Sequence, residues 1–391
     1  MDGGARVVSA LKNPAQLTPD FVKFSYENGA FLIMQDFSPG MEFGIDYKSF
    51  TVGPKFLGLK MIPPGIHFVF YAQPNQPRMG FWHNFLPKEV IVRRWDKKQE
   101  QISEAPTSNE QLERVRANLR NIDGSLAPYP YEEFKSWYSL TEFVDTTTIE
   151  RLRPTNSLGI ITSQTDMVTM ETEVIRNQQL EPGEEGWTQR VDRDHRTRLR
   201  FVDAQGLPVM HAVDGSSIRF TPLPVPDVGD PHRGLIDNSR QLEEFLRACS
   251  PNSDSDSWRA LLSELQYAFV VFLCGQVYEA FEQWKRLVHV LCSSRSALRT
   301  RVQLFDTLLR VLYFQLKQCP HDFFVDIVSR DNFLTTTLSM LFANIDEDAQ
   351  DETLKQRALK FRAYLTKTFR WDFSLDQNTP DVDGPSSSSS P

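Results

Sequence analysis

Residues 60–72 read KMIPPGIHFVFYA, and this stretch decides the class of the first half of the chain. Pro64-Gly65 suits the two central positions of a type II turn, because glycine accepts the positive φ that the second position requires. Side chains after the turn alternate between the two faces of an extended strand. One face carries Ile66, Phe68 and Phe70, and the other carries His67, Val69 and Tyr71. The stretch therefore predicts a turn followed by a strand, with His67 opposite Ile66 and Phe68.

The residues around this strand also show a pattern that is typical of strands. Four short runs are rich in β-branched and aromatic residues: AFLIMQD (30–36), GIHFVFYA (65–72), RMGFWHNF (78–85) and EVIVRRWD (89–96). Prolines and glycines separate them, and no long helical pattern lies between them. Closely spaced strands of this kind predict an antiparallel sandwich or an open barrel.

The second half of the chain changes to a helical pattern. The segment TPLPVPDVGDPHRG (221–234) has four prolines and two glycines, which is typical of a linker between domains. Apolar residues recur at helical spacing after it, so seven helices are predicted. Their approximate ranges are 235–249, 257–274, 276–293, 296–317, 321–328, 332–344 and 351–368.

These patterns predict a multidomain protein with a β-rich first domain and an all-α second domain. The tail DQNTPDVDGPSSSSSP has low complexity and predicts disorder. The expected organisation is a flexible N-terminus (1–20), a β-rich N-terminal domain (21–220), a Pro-rich linker (221–234), an α-helical C-terminal domain (235–373) and a disordered tail (374–391).

Charge and composition limit the classes of partner. A net charge of −8 and a pI of about 5.5 argue against a broad basic surface, so no direct contact with nucleic acid is expected. No run of 18 apolar residues and no apolar signal region are visible, so neither a membrane span nor a signal peptide is expected. The four cysteines form no CxxC pair, which fits a reducing compartment, cytosol or nucleus.

The sequence contains none of the common catalytic and phosphate-binding motifs. GxxxxGK[ST], GxGxxG, GxSxG and HExxH are all absent, and the seven histidines are scattered without metal-ligand spacing. We therefore predict no catalytic residue, no cofactor and no metal. One alternative is a hydrolase-like β-domain centred on His67 and His83, which become cross-strand neighbours if their strands pair. The simpler interpretation is a pair of exposed or hydrogen-bonded strand histidines.

A second alternative is an α-helical adaptor or scaffold that binds peptides. The segment FLCGQVYEAFEQWKRL (272–287) partly matches one half of a tetratricopeptide repeat. No second copy appears at a fixed period, so the aromatic residues are interpreted first as core.

Two long blocks carry a resemblance to a known family. The first comprises EFGIDYKSFTVGPKFLGLKMIPPGIHFVFY (42–71), PRMGFW (77–82) and PYPYEEFKSWYSLTEFV (128–144). The second comprises ELQYAFVVFLCGQVYEAFEQWKRLVHVLC (264–292), DFFVDIVSRDNFLTTTL (322–338) and LTKTFRWDF (365–373). Through these blocks the sequence resembles the AAR-two splicing factor family.

The resemblance implies a non-enzymatic chaperone of U5 small nuclear ribonucleoprotein assembly, present in nucleus and cytoplasm. It implies binding to the large U5 scaffold protein (PRP-eight type) at its RNase H-like region, in competition with the U5 helicase. It also implies release on phosphorylation in or near the linker. The segment SPNSDSDSW (250–258) offers Ser250, Ser253, Ser255 and Ser257 as candidate phosphorylation sites. A phosphate there adds roughly −1.5 to −2 charges.

Overall fold

A computed structural model describes residues 18–167, 210–212, 215–224, 237–250, 256–319 and 333–373. The chain divides into two compact units, each assembled from two stretches: Met1–Leu223 with Phe245–Arg286, and Pro224–Glu244 with Leu287–Pro391. Each unit is a group of residues that contact one another more often than they contact the rest of the chain. The boundaries at 220 and 235 stay predictions about independently folding domains.

The described strands are short and all lie in the first part of the chain. They are β1 Ala30–Gln35, β2 Glu42–Ile45, β3 Lys48–Thr51, β4 Gly58–Ile62, β5 Gly65–Ala72, β6 Met79–Phe85, β7 Val90–Asp96, β8 Gln101–Ile102, β9 Leu126–Pro128, β10 Ile161–Thr162, β11 Thr165–Met167 and β12 Met210–Ala212.

The described helices begin in the first unit and dominate the chain after Ser239. They are α1 Pro19–Asn28, α2 Asn109–Asn118, α3 Phe134–Thr141, α4 Thr146–Leu152, α5 Ser239–Cys249, α6 Ser257–Gly275, α7 Tyr278–Ser293, α8 Ala297–Thr300, α9 Val302–Gln318, α10 Phe333–Asp348 and α11 Glu352–Phe369. In the described residues none of these helices is long and apolar enough to span a membrane.

The strands form two five-stranded sheets and one two-stranded ribbon. The first sheet has the order β8-β7-β1-β4-β9, the second has the order β10-β6-β5-β2-β3, and β11 pairs with β12. The prediction of a β-rich first part and a helical second part is confirmed. The prediction that the sheets are antiparallel is wrong for the first sheet, because β1 is parallel to β7 and β4 is parallel to β9. Parallel neighbours need long crossover connections, and β2 to β6 lie between β1 and β7 along the chain.

The first unit is layered. The two sheets enclose one aromatic-rich core, to which β5 contributes Val69 and Tyr71. On the outside of the first sheet, Leu112 and Val115 of α2 pack against apolar residues of β1 and β7. On the outside of the second sheet, Tyr267 of α6 stacks on Trp82 of β6 with ring centroids 5.2 Å apart. Each sheet is therefore covered on both faces, which explains why its strands read as nearly continuous apolar runs.

Two glycines make room for the aromatic side chains of β5. A Cβ atom at Gly44 would lie 2.2 Å from the Phe70 ring, and one at Gly80 would lie 2.6 Å from the Phe68 ring. The rings therefore cover the neighbouring strands where those strands have no side chain. This packing fixes the face of β5 that carries Phe68 and Phe70, and turns His67 toward the space between the sheets.

The helices of the second unit are joined by ion pairs between side chains. Arg301 donates two hydrogen bonds to the Glu243 carboxylate at 2.9 and 2.8 Å, and Arg357 of α11 donates to Asp306 of α9 at 2.7 Å. The single helix predicted at 296–317 is two helices, because Arg301 leaves the helical conformation with φ −123° and ψ 41°. The apolar spacing continues across this break, so periodicity did not reveal it.

Several predictions from the sequence concern residues outside the described ones. These are the N-terminal segment up to residue 17, all but the first four residues of the linker, the helix at 321–328 and the tail at 374–391.

Candidate functional site

His67 is the centre of a buried polar network in the first unit. The side chains of His67 and Asp46 are each 1% exposed. Nδ1 of His67 lies 2.7 Å from Oδ2 of Asp46, and Nε2 lies 2.8 Å from the carbonyl oxygen of Pro63. Tyr129 donates its hydroxyl hydrogen to the same Oδ2 at 2.5 Å. The second carboxylate oxygen accepts the backbone N–H of Phe68 at 3.1 Å.

This network joins three segments that are distant in sequence. Asp46 begins the tight turn between β2 and β3 in the left-handed conformation, with φ 57°. His67 lies on β5, and Tyr129 follows β9. Burial and the Asp46 carboxylate raise the pKa of Tyr129 well above its usual value, so its hydroxyl remains a donor. Both nitrogens of His67 face protein oxygen atoms, which leaves no ring nitrogen for a substrate or a metal ion.

The two histidines pair across the strands but do not form a common site. His67 lies opposite His83 in the register of β5 and β6, as the sequence suggested. Nε2 of His83 lies 3.3 Å from Glu89 Oε2, and the side chain of His83 is 27% exposed. Burial lowers the pKa of His83, against the opposing effect of Glu89. The interpretation as hydrogen-bonded strand histidines fits these contacts. Within the described residues no cluster of side chains is suited to hold a metal ion.

The four cysteines are reduced and buried. Burial raises the pKa of Cys249 and of Cys319 to about 12, and also raises those of Cys274 and Cys292. A thiol is a nucleophile only as thiolate. None of these side chains is therefore arranged as a reactive nucleophile.

A second buried network surrounds Glu264 of α6, whose side chain is 0% exposed. Arg151 at the end of α4 donates to Glu264 Oε2 at 2.7 Å and also contacts the hydroxyl of Thr221. Thr221 donates its backbone N–H and its hydroxyl to the carboxylate at 2.9 and 2.7 Å. Gln283 of α7 donates to Oε1 at 3.1 Å. One carboxylate thus holds a helix, an extended segment and a helical hairpin together.

The sequence analysis did not identify Glu264 as a buried carboxylate, although the apolar residues around it indicate one. The stretch around it, ALLSELQYAFVVFL, is apolar on nearly every side, which is typical of a helix buried all round. In such a helix a single carboxylate requires a cationic partner. The position of that partner, Arg151, was not visible in the sequence.

One exposed and two partly buried aromatic side chains lie together where α6 and α7 meet. Tyr278 is 66% exposed, the most of any large hydrophobic side chain in the described residues. Phe281 stacks on Phe272 with centroids 4.4 Å apart, and Tyr278 lies 6.2 Å from Phe281. A hydrogen bond to Glu282 raises the pKa of Tyr278 and orients its ring. We call Phe272, Tyr278, Phe281 and Glu282 the hairpin surface.

Glu282 is in turn held by a lysine. Lys285 Nζ lies 2.6 Å from Glu282 Oε1 and 5.0 Å from the centroid of the Phe281 ring. The side chains of the hairpin surface are therefore oriented in advance, which lowers the entropy lost when a partner binds. Oriented exposed aromatic residues are typical of the centres of protein–protein interfaces.

Comparison with known proteins places the chain in one family. A family model for the AAR2 N-terminal domain matches residues 28–154, and one for the AAR2 C-terminal repeat region matches residues 231–374. Protein AAR2 homolog of Caenorhabditis elegans is 47% identical over 361 residues, which cover 92% of this chain and 99% of the relative. The chain belongs to the AAR2 family. The resemblance carried by the two sequence blocks is thereby confirmed.

Other AAR2 relatives extend the comparison. Protein AAR2 homolog of Homo sapiens is 40% identical over 375 residues, covering 92% of this chain and 94% of the relative. The A1 cistron-splicing factor AAR2 of Saccharomyces cerevisiae is 24% identical over 298 residues, covering 72% of this chain and 74% of the relative. Arg151 lies in the part matched by the N-terminal AAR2 model, and Glu264 in the part matched by the C-terminal one.

The candidate phosphorylation sites differ in their surroundings. Ser250 is partly exposed at the end of α5, and Ser253 and Ser255 lie outside the described residues. Ser257 is the first residue of α6 and is 1% exposed. A kinase would therefore reach Ser257 only if the start of α6 opened. Phosphorylation of this AAR2 protein at any of the four serines stays a prediction.

Proposed function

We propose that this protein is a non-enzymatic pre-mRNA splicing factor that binds the large scaffold protein of the U5 particle, of the PRP-eight type. In this proposal it contacts the RNase H-like region of the scaffold and delays engagement of the U5 helicase during assembly. It acts in the nucleus and the cytoplasm. The observation that carries the proposal is membership of the AAR2 family, which includes a yeast relative named as a splicing factor.

The geometry of the first unit supports a binding role over a hydrolase-like one. Both nitrogens of His67 are engaged with protein oxygens in a buried network, and His83 is engaged with Glu89. Catalysis by His67 would require a free nitrogen within hydrogen-bond reach of a substrate. The hairpin surface, by contrast, offers a partner an aromatic patch whose side chains are already oriented.

Affinity purification tests the proposal directly. We expect tagged full-length protein, recovered from cell extract, to bring the U5 scaffold protein with it and to leave the U5 helicase behind. Mass spectrometry of the recovered material measures both. Recovery of scaffold and helicase together in one complex with this protein would contradict the competition. A preparation without the scaffold protein, recovered with other peptides or proteins, would favour the adaptor alternative.

The hairpin surface gives a variant that sharpens this experiment. We expect Tyr278→Ala to reduce recovery of the scaffold protein several-fold, because truncation of a central interface aromatic weakens binding by about 2 kcal/mol or more. The folded protein should be unaffected, since this side chain is 66% exposed. Quantitative mass spectrometry against wild type measures the loss.

Tyr138→Ala is the matched control for Tyr278→Ala. Tyr138 of α3 is 37% exposed and lies outside the hairpin surface. Full scaffold recovery with Tyr278→Ala would move the interface to another surface without removing the proposed function. Crosslinking of the complex would then locate that surface.

A further inference from the structure

A cavity at the edge of the second sheet contains a guanidinium group that forms no ion pair within the described residues. The cavity has a volume of about 310 Å³, and its wall includes Phe81, Trp82 and His83 of β6 with Arg93 of β7. Arg153, which follows α4, and Tyr267 of α6 also line this wall. The volume is at the lower end of the range for small-molecule sites.

Arg93 is unusual because it is half-buried and forms no ion pair within the described residues. Its only hydrogen bond within the described part of the chain is a long one of 3.4 Å to the carbonyl oxygen of Val92, and it forms no ion pair there. The guanidinium carbon lies 5.6 Å from the centroid of the Phe81 ring. Burial lowers the pKa of Arg93 and Arg153 adds to this effect, against the opposing effects of Tyr71 and Glu89. A guanidinium has five N–H donors, and those of Arg93 that have no protein acceptor are open to the cavity.

The carboxylate that attracts Arg93 is engaged with other donors through one of its oxygens. Glu89 attracts Arg93 electrostatically, but its Oε2 accepts the backbone N–H of Leu86 at 2.8 Å and lies 3.3 Å from His83 Nε2. Glu89 therefore compensates the charge of Arg93 only at a distance, because no ion pair joins the two side chains within the described residues.

Arg153 brings a second positive charge to the same cavity, and Glu150 brings a carboxylate to the same wall. Nη2 of Arg153 donates to the carbonyl oxygen of Ser157 at 2.9 Å, and the contact of Arg153 with Glu150 is a long one of 3.6 Å. Gly159 has φ 66°, and a Cβ there would lie 2.5 Å from Arg153 Nε. The glycine therefore leaves the space in which the arginine side chain lies.

We propose that this cavity binds a small molecule carrying a phosphate dianion, a phosphomonoester, between Arg93 and Arg153. Arginine binds phosphate oxygens through paired N–H donors, and the two guanidinium groups outnumber the single carboxylate of the wall, that of Glu150. The aromatic residues of the wall suit an apolar or planar group next to the phosphate. This site is independent of scaffold binding, and its failure would leave the proposed function untouched.

Phenyl phosphate is a suitable probe, because it joins a phosphate dianion to one aromatic ring. We expect isothermal titration calorimetry to detect its binding to the full-length protein. Arg93→Met, which keeps the length of the side chain and removes the charge, should weaken that binding at least about tenfold. Inorganic phosphate should bind more weakly through the same residues, and phenol should not bind.

Arg94→Met is the matched control. Arg94 is the next residue of β7, has a side chain that is 56% exposed, and is absent from the cavity wall. Unchanged binding to Arg94→Met together with weakened binding to Arg93→Met supports the site. Equal weakening by both variants, or no binding of phenyl phosphate to wild type, overturns it. A phosphoserine peptide that binds where phenyl phosphate does not also overturns the assignment to a small molecule.

Thermal unfolding separates a ligand site from a structural role of Arg93. A buried charge without a partner destabilises the folded state, so Arg93→Met without ligand should be at least as stable as wild type. Phenyl phosphate should raise the unfolding temperature of wild type and not that of the variant. A large loss of stability in Arg93→Met without ligand would show that the arginine is structural, and would overturn the proposal.

Discussion

Asp46→Ala is expected to lower the free energy of unfolding of the first unit by about 3 to 5 kcal/mol, because it breaks a buried ionisable pair by removing one partner. The substitution leaves His67 Nδ1, the Tyr129 hydroxyl and the backbone N–H of Phe68 without their acceptor. Each buried group left unpaired is destabilising. Urea denaturation monitored by tryptophan fluorescence measures the change, since Trp137 stacks on His67 at 6.3 Å.

Asp36→Ala is the control for the backbone conformation of Asp46. Asp36 also has a positive φ, 64°, but its side chain is 59% exposed and its contact with Arg94 is 3.6 Å. It therefore shares the left-handed strain and lacks the buried network, so we expect a loss of about 1 kcal/mol. Equal losses in the two variants would mean that the network around His67 adds no stability beyond the turn.

Glu264→Ala is the second substitution with a large expected effect, again about 3 to 5 kcal/mol. Arg151 would keep its charge and lose its carboxylate partner, and Thr221 and Gln283 would lose their acceptor. The same denaturation experiment measures the loss. Glu110→Ala is the control, because Glu110 forms an exposed pair with Arg114 and its loss should change stability by less than about 1 kcal/mol.

A double variant identifies the physical reason for the Glu264 effect. We expect Arg151→Met combined with Glu264→Leu to recover part of the stability lost in Glu264→Ala, because it removes both charges and fills the space with apolar groups. A double variant less stable than Glu264→Ala would contradict the explanation by an uncompensated buried charge. Packing around the carboxylate would then account for most of the lost stability.

The strands were predictable from the sequence where the alternation of side chains and the turn-forming residues indicate the same boundaries. β5 begins at Gly65 and ends at Ala72, as the PPG turn and the alternating aromatic residues indicated. The histidine at its centre was also placed on the correct face. Its partners were not predictable, because Asp46 and Tyr129 are 21 and 62 residues away in sequence and only the tertiary fold brings them to His67.

Pairing between strands was predictable only for neighbours along the chain. β5 and β6 are antiparallel neighbours joined by a short connection, and the cross-strand histidine pair followed from that. The parallel pair of β1 and β7 depends on how five intervening strands pack, and a local pattern carries no information about that packing. The Arg151–Glu264 pair and the cavity at Arg93 belong to the same class of long-range features.

The discontinuous make-up of the first unit has a consequence for synthesis of the chain on the ribosome. Arg151 and Glu264 are 113 residues apart. At roughly 5 to 20 residues per second, about 6 to 23 s pass between their addition. During that interval Trp82, on the outer face of the second sheet, lacks the Tyr267 ring that stacks on it, because α6 has not yet been synthesised. The nascent β-sandwich therefore exposes an aromatic face for seconds, and we expect general chaperones to bind it during synthesis.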